Sequence, residues 1–125
     1  MINSIFNTET NILETEFIND ITALQVINYI VAFKDNTSYP RKLKSVIDAT
    51  QATFKFSFRD LKSFNAAKAN SLVNYDSVMI AIIISNSTTA ALSVLYEAIA
   101  NNKKYKFKVF SSEEGAINWL ESFRI

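Results

Sequence analysis

The first third of the chain changes from a strand-like to a helix-like hydrophobic pattern. Residues 2–6 and 12–17 are short β-prone runs separated by a polar, turn-forming stretch, which predicts a hairpin. From residue 21, apolar residues recur every three or four positions, which predicts a helix with Asn19 or Asp20 as its N-cap and an end near Asp35. The predicted apolar stripe consists of Leu24, Ile27, Ile30, Val31 and Phe33.

The middle of the chain has the pattern of a β-α-β unit. Residues 43–49 are predicted to form a strand with Asp48 at its C-terminal end. Residues 57–60, Ser-Phe-Arg-Asp, have the form of a capping box that opens a helix reaching to about residue 74. Residues 77–84 are apolar on both faces, which is typical of a central strand covered by helices on either side.

The last third predicts a further helix, a strand and a terminal helix. The third helix follows residues 85–88, and its core-facing positions are expected to be Ala91, Leu92, Leu95, Ala98 and Ile99. Residues 106–110 form the last predicted strand, and residues 111–114 are a capping box for the terminal helix. The order predicts an α/β domain. Its mixed sheet has about five strands, an N-terminal antiparallel hairpin and then β-α units, and is flanked by four helices.

Composition supports one self-sufficient domain over residues 1–125. Hydrophobic residues make up 49% of the chain, enough to build a core without disulfides or metals. Thirteen basic residues nearly balance twelve acidic ones, so no charge field favours nucleic acid. The longest apolar run, residues 78–84, is far shorter than the roughly 20 residues of a membrane span. With no signal-peptide pattern after Met1, the expected location is cytoplasmic.

Missing residue types exclude much of catalysis. The chain has no histidine and no cysteine, so catalytic triads and Cys/His zinc sites are excluded. Gly115 is the only glycine, whereas phosphate-cradling loops need several. We therefore expect a protein that is not an enzyme and that uses no cofactor or metal. Asp48 is interpreted as accepting hydrogen bonds from the backbone that follows it, with catalysis as the alternative.

Two groups of residues form candidate binding surfaces. Ser85, Asn86 and Ser87 stand at a predicted helix N-terminus, where they either cap the helix or hold an anion. Phe54, Phe56 and Phe58 lie in a predicted polar-flanked loop that cannot hide all three unless a partner or ligand covers them. Ordinary packing in the core is the alternative for Phe54 and Phe56.

The alternation of lysines with aromatic residues near the C-terminus is interpreted as structural. Lys104, Lys106 and Lys108 share one face of the last predicted strand, and Tyr105 and Phe107 share the other. This pattern predicts an edge strand protected by charge and not a nucleic-acid site.

Several segments together resemble the STAS/SpoIIAA-like family, chiefly its small stand-alone bacterial members. They are residues 45–49, 66–69 and 85–87, and the terminal stretch Phe110-Ser-Ser-Glu-Glu-Gly-Ala-Ile-Asn-Trp-Leu120. The resemblance implies a β-sheet packed with helices. Anti-sigma factor antagonists of that family are phosphorylated on a serine in an Asp-Ser-Ser/Thr-Gly segment. Here the matching stretch begins with Asp48 and contains only Thr50 and Thr53 as hydroxyls, so the phosphosite is not carried over.

The resemblance leaves two functional expectations. The first is a non-enzymatic regulatory or protein-interaction module whose residues 49–57 and following helix contact a protein partner or a second copy, as in a homodimer. The alternative is a protein that binds a small apolar or anionic, lipid-like ligand. The candidate surface for either is Asp48, Thr50, Thr53, Phe54, Phe56, Ser85, Asn86 and Ser87.

Overall fold

The computed structural model describes residues 1–123, which form one five-stranded sheet and four helices. The strands are β1 (Ile2–Asn7), β2 (Ile12–Thr22), β3 (Lys42–Lys55), β4 (Ser77–Ile83) and β5 (Tyr105–Phe110). The helices are α1 (Ala23–Asp35), α2 (Asp60–Ser71), α3 (Ser87–Ala100) and α4 (Glu113–Glu121). β1 and β2 pair antiparallel and all other neighbours pair parallel. The predicted mixed sheet with four helices is confirmed. Residues 124 and 125 lie outside the described part.

The strands lie in the sheet in their sequence order, β1-β2-β3-β4-β5. Parallel crossovers are right-handed, so a sheet that always grows in the same direction places all its crossover helices on one face. The main core accordingly joins α1, α2 and α3 to that face, and a smaller core joins α4 to the other. Because the strand order never reverses, the sheet lacks the crevice in which open α/β folds usually bind ligands.

β2 and β3 are much longer than the sequence predicted. They stay paired as far as Thr22 and Lys55, so the predicted loop over residues 49–57 is wrong for most of its length. Glu16 pairs with Asp48, and the next pair is Ile18 with Gln51. One residue of β2 therefore lies opposite two residues of β3, which forms a bulge in β3. Asp48 therefore lies inside a strand beside a bulge and not at a strand end.

The start of α1 differs from the prediction because β2 continues to Thr22. That residue, and not Asn19 or Asp20, is the N-cap. Its hydroxyl accepts a hydrogen bond from the Gln25 backbone amide, and the Gln25 side chain accepts one from the Thr22 amide at 2.8 Å. This reciprocal pair is a complete capping box.

The sequence predicted capping boxes at the starts of α2 and α4, and neither forms completely. At α2 only half of the box forms, because the Asp60 side chain accepts from the Ser57 amide at 2.9 Å but no side-chain cap is returned. The helix begins at Asp60, and Phe58, in the turn before it, is exposed. At α4 the cap lies one residue later than the predicted box: Ser112, and not Ser111, is the N-cap. Its hydroxyl accepts from the Gly115 amide at 3.1 Å, and Gly115 has no side chain to return a hydrogen bond.

α1 buries only part of its predicted stripe. Phe33 is buried as expected, but the other buried residue is Val26, while Leu24 and Val31 are exposed. The helix is rotated from the predicted orientation because Val26 and Phe33, seven residues apart, define its inner face.

α3 has the reverse of its predicted orientation. Its buried residues are Thr89, Ser93, Tyr96 and Ala100. The predicted core positions Leu95 and Ile99 are exposed by 51% and 46%, and Val94 by 50%. A physical reason is the crowding at β5: the Tyr96 ring packs edge-on against Phe107, 4.9 Å between centroids, so small side chains fit beside it.

β4 and β5 behave as predicted. β4 is buried on both faces from Val78 to Ile83. β5 is an edge strand whose Tyr105 and Phe107 are buried, while Lys106 is half-buried and Lys108 exposed.

Candidate functional site

An apolar cavity of about 80 Å³ lies in the main core, between the sheet and helices α1, α2 and α3. Carbon atoms form nearly all of its wall. An empty apolar cavity of about 150 Å³ is known to stay dry and to bind benzene or xenon. The cavity here is about half that size, so without side-chain movement it accommodates a xenon atom or a very small organic molecule.

Aromatic side chains make up much of the cavity wall. On the α1 side, the Tyr29 and Phe33 rings meet edge-on with centroids 5.2 Å apart. At the far end of β3, Phe54 stacks on Phe56 at 4.7 Å, and Phe56 meets Phe64 of α2 edge-on at 5.0 Å. Such contacts hold each ring in a defined geometry, so this wall is pre-formed.

Five residues of the wall are only half-buried and lie between the cavity and the surface: Tyr29, Ile30, Phe54, Phe56 and Leu92. Phe54 and Phe56 are the two aromatic residues that the sequence marked as a candidate ligand surface. Phe54 lies near the end of β3 and Phe56 directly follows the strand, and their rings stack on each other. Movement of this stacked pair is the simplest way to admit a ligand.

Lys68 is the only charged residue in the cavity wall. It lies in α2, is 6% exposed, and donates a hydrogen bond from Nζ to the carbonyl oxygen of Ala100 at 2.9 Å. Nζ also lies 4.3 Å from the ring centroid of Tyr105. Burial lowers the pKa of Lys68, because removing the ammonium from water disfavours the charged form.

Three tyrosines also border the cavity, and burial raises the pKa of each. It raises the pKa of Tyr29 to about 12 and that of Tyr96 to about 12, and it raises the pKa of Tyr105 well above 10. The Tyr29 hydroxyl is 3.0 Å from the Thr15 hydroxyl, which lies 2.8 Å from that of Ser4. At neutral pH all three tyrosines are uncharged.

Four other candidate residues lie outside the cavity wall. Asp48 and Thr50 are at the bulge in β3, and Ser85 and Asn86 follow the C-terminal end of β4. Asp48 Oδ1 accepts from the Thr50 amide at 3.0 Å and from its hydroxyl at 2.7 Å. The Ser85 hydroxyl donates to the Thr50 carbonyl at 2.9 Å. Asn86 caps α3 by accepting from the Thr89 amide at 2.8 Å. Each of these side chains thus makes at least one hydrogen bond within the fold.

The last two candidates, Thr53 and Ser87, are exposed. Thr53 lies in β3 and Ser87 is the first residue of α3, so neither joins the cavity.

The polar residues around the cavity can be compared with those that a metal ion or a pair of catalytic carboxylates needs. The cavity wall contains no carboxylate, and no three potential metal-ligating side chains lie together within residues 1–123. The surface of the wall is almost entirely apolar, and the residues that line it include three tyrosines, Ser93 and Lys68. Such a set suits binding of a small, mostly apolar molecule.

Lys68 and Ser93 are two polar wall residues that were not among the candidates predicted from the sequence. The signal for Lys68 was present, because it follows Phe64 by four residues and precedes Leu72 by four, on the buried side of α2. Ser93 gave no comparable signal, since its apolar neighbours indicated the opposite face of α3.

No protein-family model and no curated protein matches the chain. Solved structures do match it in fold. An uncharacterised protein of the DUF3478 family from Shewanella loihica PV-4, described as having a SpoIIAA-like fold, has a TM-score of 0.60 and 15% identity over 96% of this chain and 92% of that one. The anti-sigma factor antagonist SpoIIAA in its unphosphorylated form has a TM-score of 0.54 and 8% identity over 98% of this chain and 100% of that one.

These similarities show the fold: the chain is an α/β domain with a SpoIIAA-like architecture. This confirms the fold implied by the resemblance in sequence. Among the helices of residues 1–123, none has the length and apolar character needed to cross a bilayer.

Proposed function

We propose that this protein is a non-enzymatic binding protein that holds a small apolar ligand in the cavity between its sheet and helices α1 to α3. The observation that carries the proposal is the cavity itself, with walls of carbon inside an otherwise packed domain. The pre-formed aromatic wall supports the proposal, because a ligand that enters does not have to order those rings.

The energetic cost of the cavity also supports a binding role. Empty volume in a protein core costs about 24 cal/mol per Å³, so 80 Å³ costs about 2 kcal/mol. Net stabilities are about 5–15 kcal/mol, so this is a sizeable fraction of the whole. A ligand that fills the space recovers part of that free energy as affinity.

Xenon tests the proposal because it needs no hydrogen-bonding partner and is small enough for the cavity. We expect dissolved xenon to shift the methyl NMR signals of Ile80 and Leu92, which line the cavity. Leu120, a buried residue of α4 on the opposite face of the sheet, is the internal control and keeps its signal. The absence of any shift at Ile80 and Leu92, or an equal shift at Leu120, contradicts the proposal.

A second candidate function is the regulatory or interaction module that the resemblance implied, with a second copy of the chain as the partner. The outer face of α3 favours it: Val94, Leu95 and Ile99 are exposed together on a helix whose only charged residue is Glu97. An apolar helix face can pair with its own symmetry mate in a two-fold dimer.

Light scattering on separated samples tests this second function. We expect a dimer for the native protein and a monomer for the double variant Leu95→Lys, Ile99→Lys. The matched control is Val73→Lys, which places a charge at another exposed apolar residue, next to α2. If Val73→Lys dissociates the dimer and the α3 double variant does not, the interface lies on the α2 side, as expected from the sequence. If the native protein is a monomer, self-association is ruled out.

A further inference from the structure

The cavity contains one feature that an apolar ligand alone does not use, the ammonium group of Lys68. Its Nζ has three hydrogens, and one is donated to the Ala100 carbonyl at 2.9 Å. The face of the Tyr105 ring, 4.3 Å from Nζ to the centroid, provides a second favourable contact for the cation. Lys68 is among the residues that line the cavity, and its Nζ keeps N–H donors beyond the one that Ala100 accepts.

No side chain in the cavity wall balances this charge. Lys68 is 6% exposed, and the wall contains no aspartate or glutamate. A buried ammonium without an anionic partner is costly, because it has lost its water and gained no counter-charge. The carbonyl and the ring compensate only in part, since each carries a partial charge.

The contact with Ala100 also has a purely structural interpretation. Ala100 is the last residue of α3, where carbonyl groups lack partners within the helix and attract cations. A methionine at position 68 packs the same stem without a charge. The structural role therefore explains one hydrogen bond but not why a charged residue lines the cavity.

We propose that the cavity binds a short-chain carboxylate, whose oxygen atoms accept hydrogen bonds from the Lys68 ammonium and whose hydrocarbon chain extends along the aromatic wall. This inference rests on the proposed ligand-binding function and specifies its chemical class. The carboxylate supplies the missing counter-charge, and the chain supplies the apolar contact that the rest of the wall requires. The small volume favours chains of a few carbon atoms.

Butanoate and butanamide are the probes, because they have similar shapes and differ in charge. At pH 7 we expect calorimetry to show butanoate binding about tenfold or more tightly than butanamide, since hydrogen bonds to charged groups are the stronger ones. Lys68→Met abolishes this preference and still binds xenon. Lys62→Met, an exposed residue of the same helix, is the matched control and retains the preference.

A second measurement does not depend on the folding of the Lys68 variant. In native protein with ¹³C-labelled lysine, butanoate raises the pKa of Lys68 because the carboxylate favours the ammonium form, and butanamide does not. The titratable groups that share the cavity wall are Tyr29, Tyr96 and Tyr105, and burial raises the pKa of each, so they stay neutral in the range of interest.

The outcomes separate the two proposals. Equal binding of butanoate and butanamide, or an unchanged Lys68 titration, overturns the carboxylate inference and leaves the apolar-ligand function standing. A butanoate preference that survives Lys68→Met also overturns the assignment to Lys68. If xenon and both organic probes fail to bind, the proposed function itself is wrong.

Discussion

Ser93 and Leu95 lie two residues apart on α3 and face opposite sides of the helix. Ser93 is 3% exposed and lines the cavity, whereas Leu95 is 51% exposed on the outer face. A small polar side chain thus occupies a core position while a large apolar one faces solvent. The cavity exists partly because the inner face of α3 consists of small residues, among them Thr89, Ser93 and Ala100.

Filling the cavity from Ser93 tests its presence directly. Ser93→Leu is expected to stabilise the protein by about 1–2 kcal/mol, because the new side chain occupies space whose emptiness costs about 2 kcal/mol. Urea denaturation measures the free energy of unfolding. Val94→Leu makes a comparable change on the outer face and is expected to alter stability by less than about 0.5 kcal/mol. A loss of about 1–3 kcal/mol for Ser93→Leu indicates overpacking and contradicts the cavity.

The buried tyrosines predict a loss of stability in alkaline solution. Burial raises the pKa of Tyr96 to about 12 and that of Tyr29 to about 12, from 10.0. Between pH 10 and pH 12 the unfolded chain loses these protons while the folded chain keeps them. The folded state then binds more protons, so the free energy of unfolding falls as pH rises. The stabilisation is complete below pH 10, and urea denaturation at pH 7, 9, 10 and 11 follows its loss.

Tyr96→Phe isolates one contribution to this alkaline transition. The variant lacks one ionisable group and is expected to lose less stability between pH 9 and pH 11 than the native protein does. Each unit of pKa difference between folded and unfolded states corresponds to about 1.4 kcal/mol. An identical decline in both proteins shows that Tyr96 ionises as easily when folded as when unfolded, contrary to its burial.

Tyr75 connects α1 with the segment before β4, and its hydroxyl is expected to contribute to stability. The Tyr75 hydroxyl donates to the Phe33 carbonyl at 3.2 Å in a buried contact. The Phe33 carbonyl also accepts from the Asn36 amide at 3.4 Å, so Tyr75→Phe removes one of its two hydrogen bonds and is expected to cost about 0.5–1.5 kcal/mol by urea denaturation. Tyr39→Phe is the control, because the Tyr39 hydroxyl makes no hydrogen bond within residues 1–123. If both variants lower the free energy of unfolding equally, the loss does not come from the Tyr75 hydrogen bond.

The sequence predicted the elements and their order well because the hydrophobic periods of strands and helices differ. Residues 77–84 identified the central strand since both of its faces are apolar. Lys106 and Phe107 identified the edge strand since charged and aromatic residues alternate there. In these two strands the burial of residues in the folded protein agrees with the hydrophobic pattern of the sequence.

The sequence could not predict the orientation of α3 or the length of β3. Two faces of α3 are compatible with burial, and the less apolar one faces the sheet because of the rings of Tyr96 and Phe107. β3 extends to Lys55 because β2 pairs with it, and that pairing is a long-range contact. The cavity depends on both features, so of the candidate ligand residues only Phe54 and Phe56 line it.

Asn19 shows how the long β2 strand accommodates its irregular pairing, and it gives the last prediction. Its φ is 61°, in the left-handed region, and its side chain is exposed while its backbone pairs with Ala52. Asparagine tolerates this conformation, whereas a β-branched residue does not. Asn19→Val is expected to cost about 1–2 kcal/mol by urea denaturation, and Asn19→Gly, the control that adopts positive φ freely, is expected to cost less. If Asn19→Val and Asn19→Gly have the same free energy of unfolding, the left-handed conformation at Asn19 is wrong. β2 then keeps regular extended geometry opposite the bulge in β3.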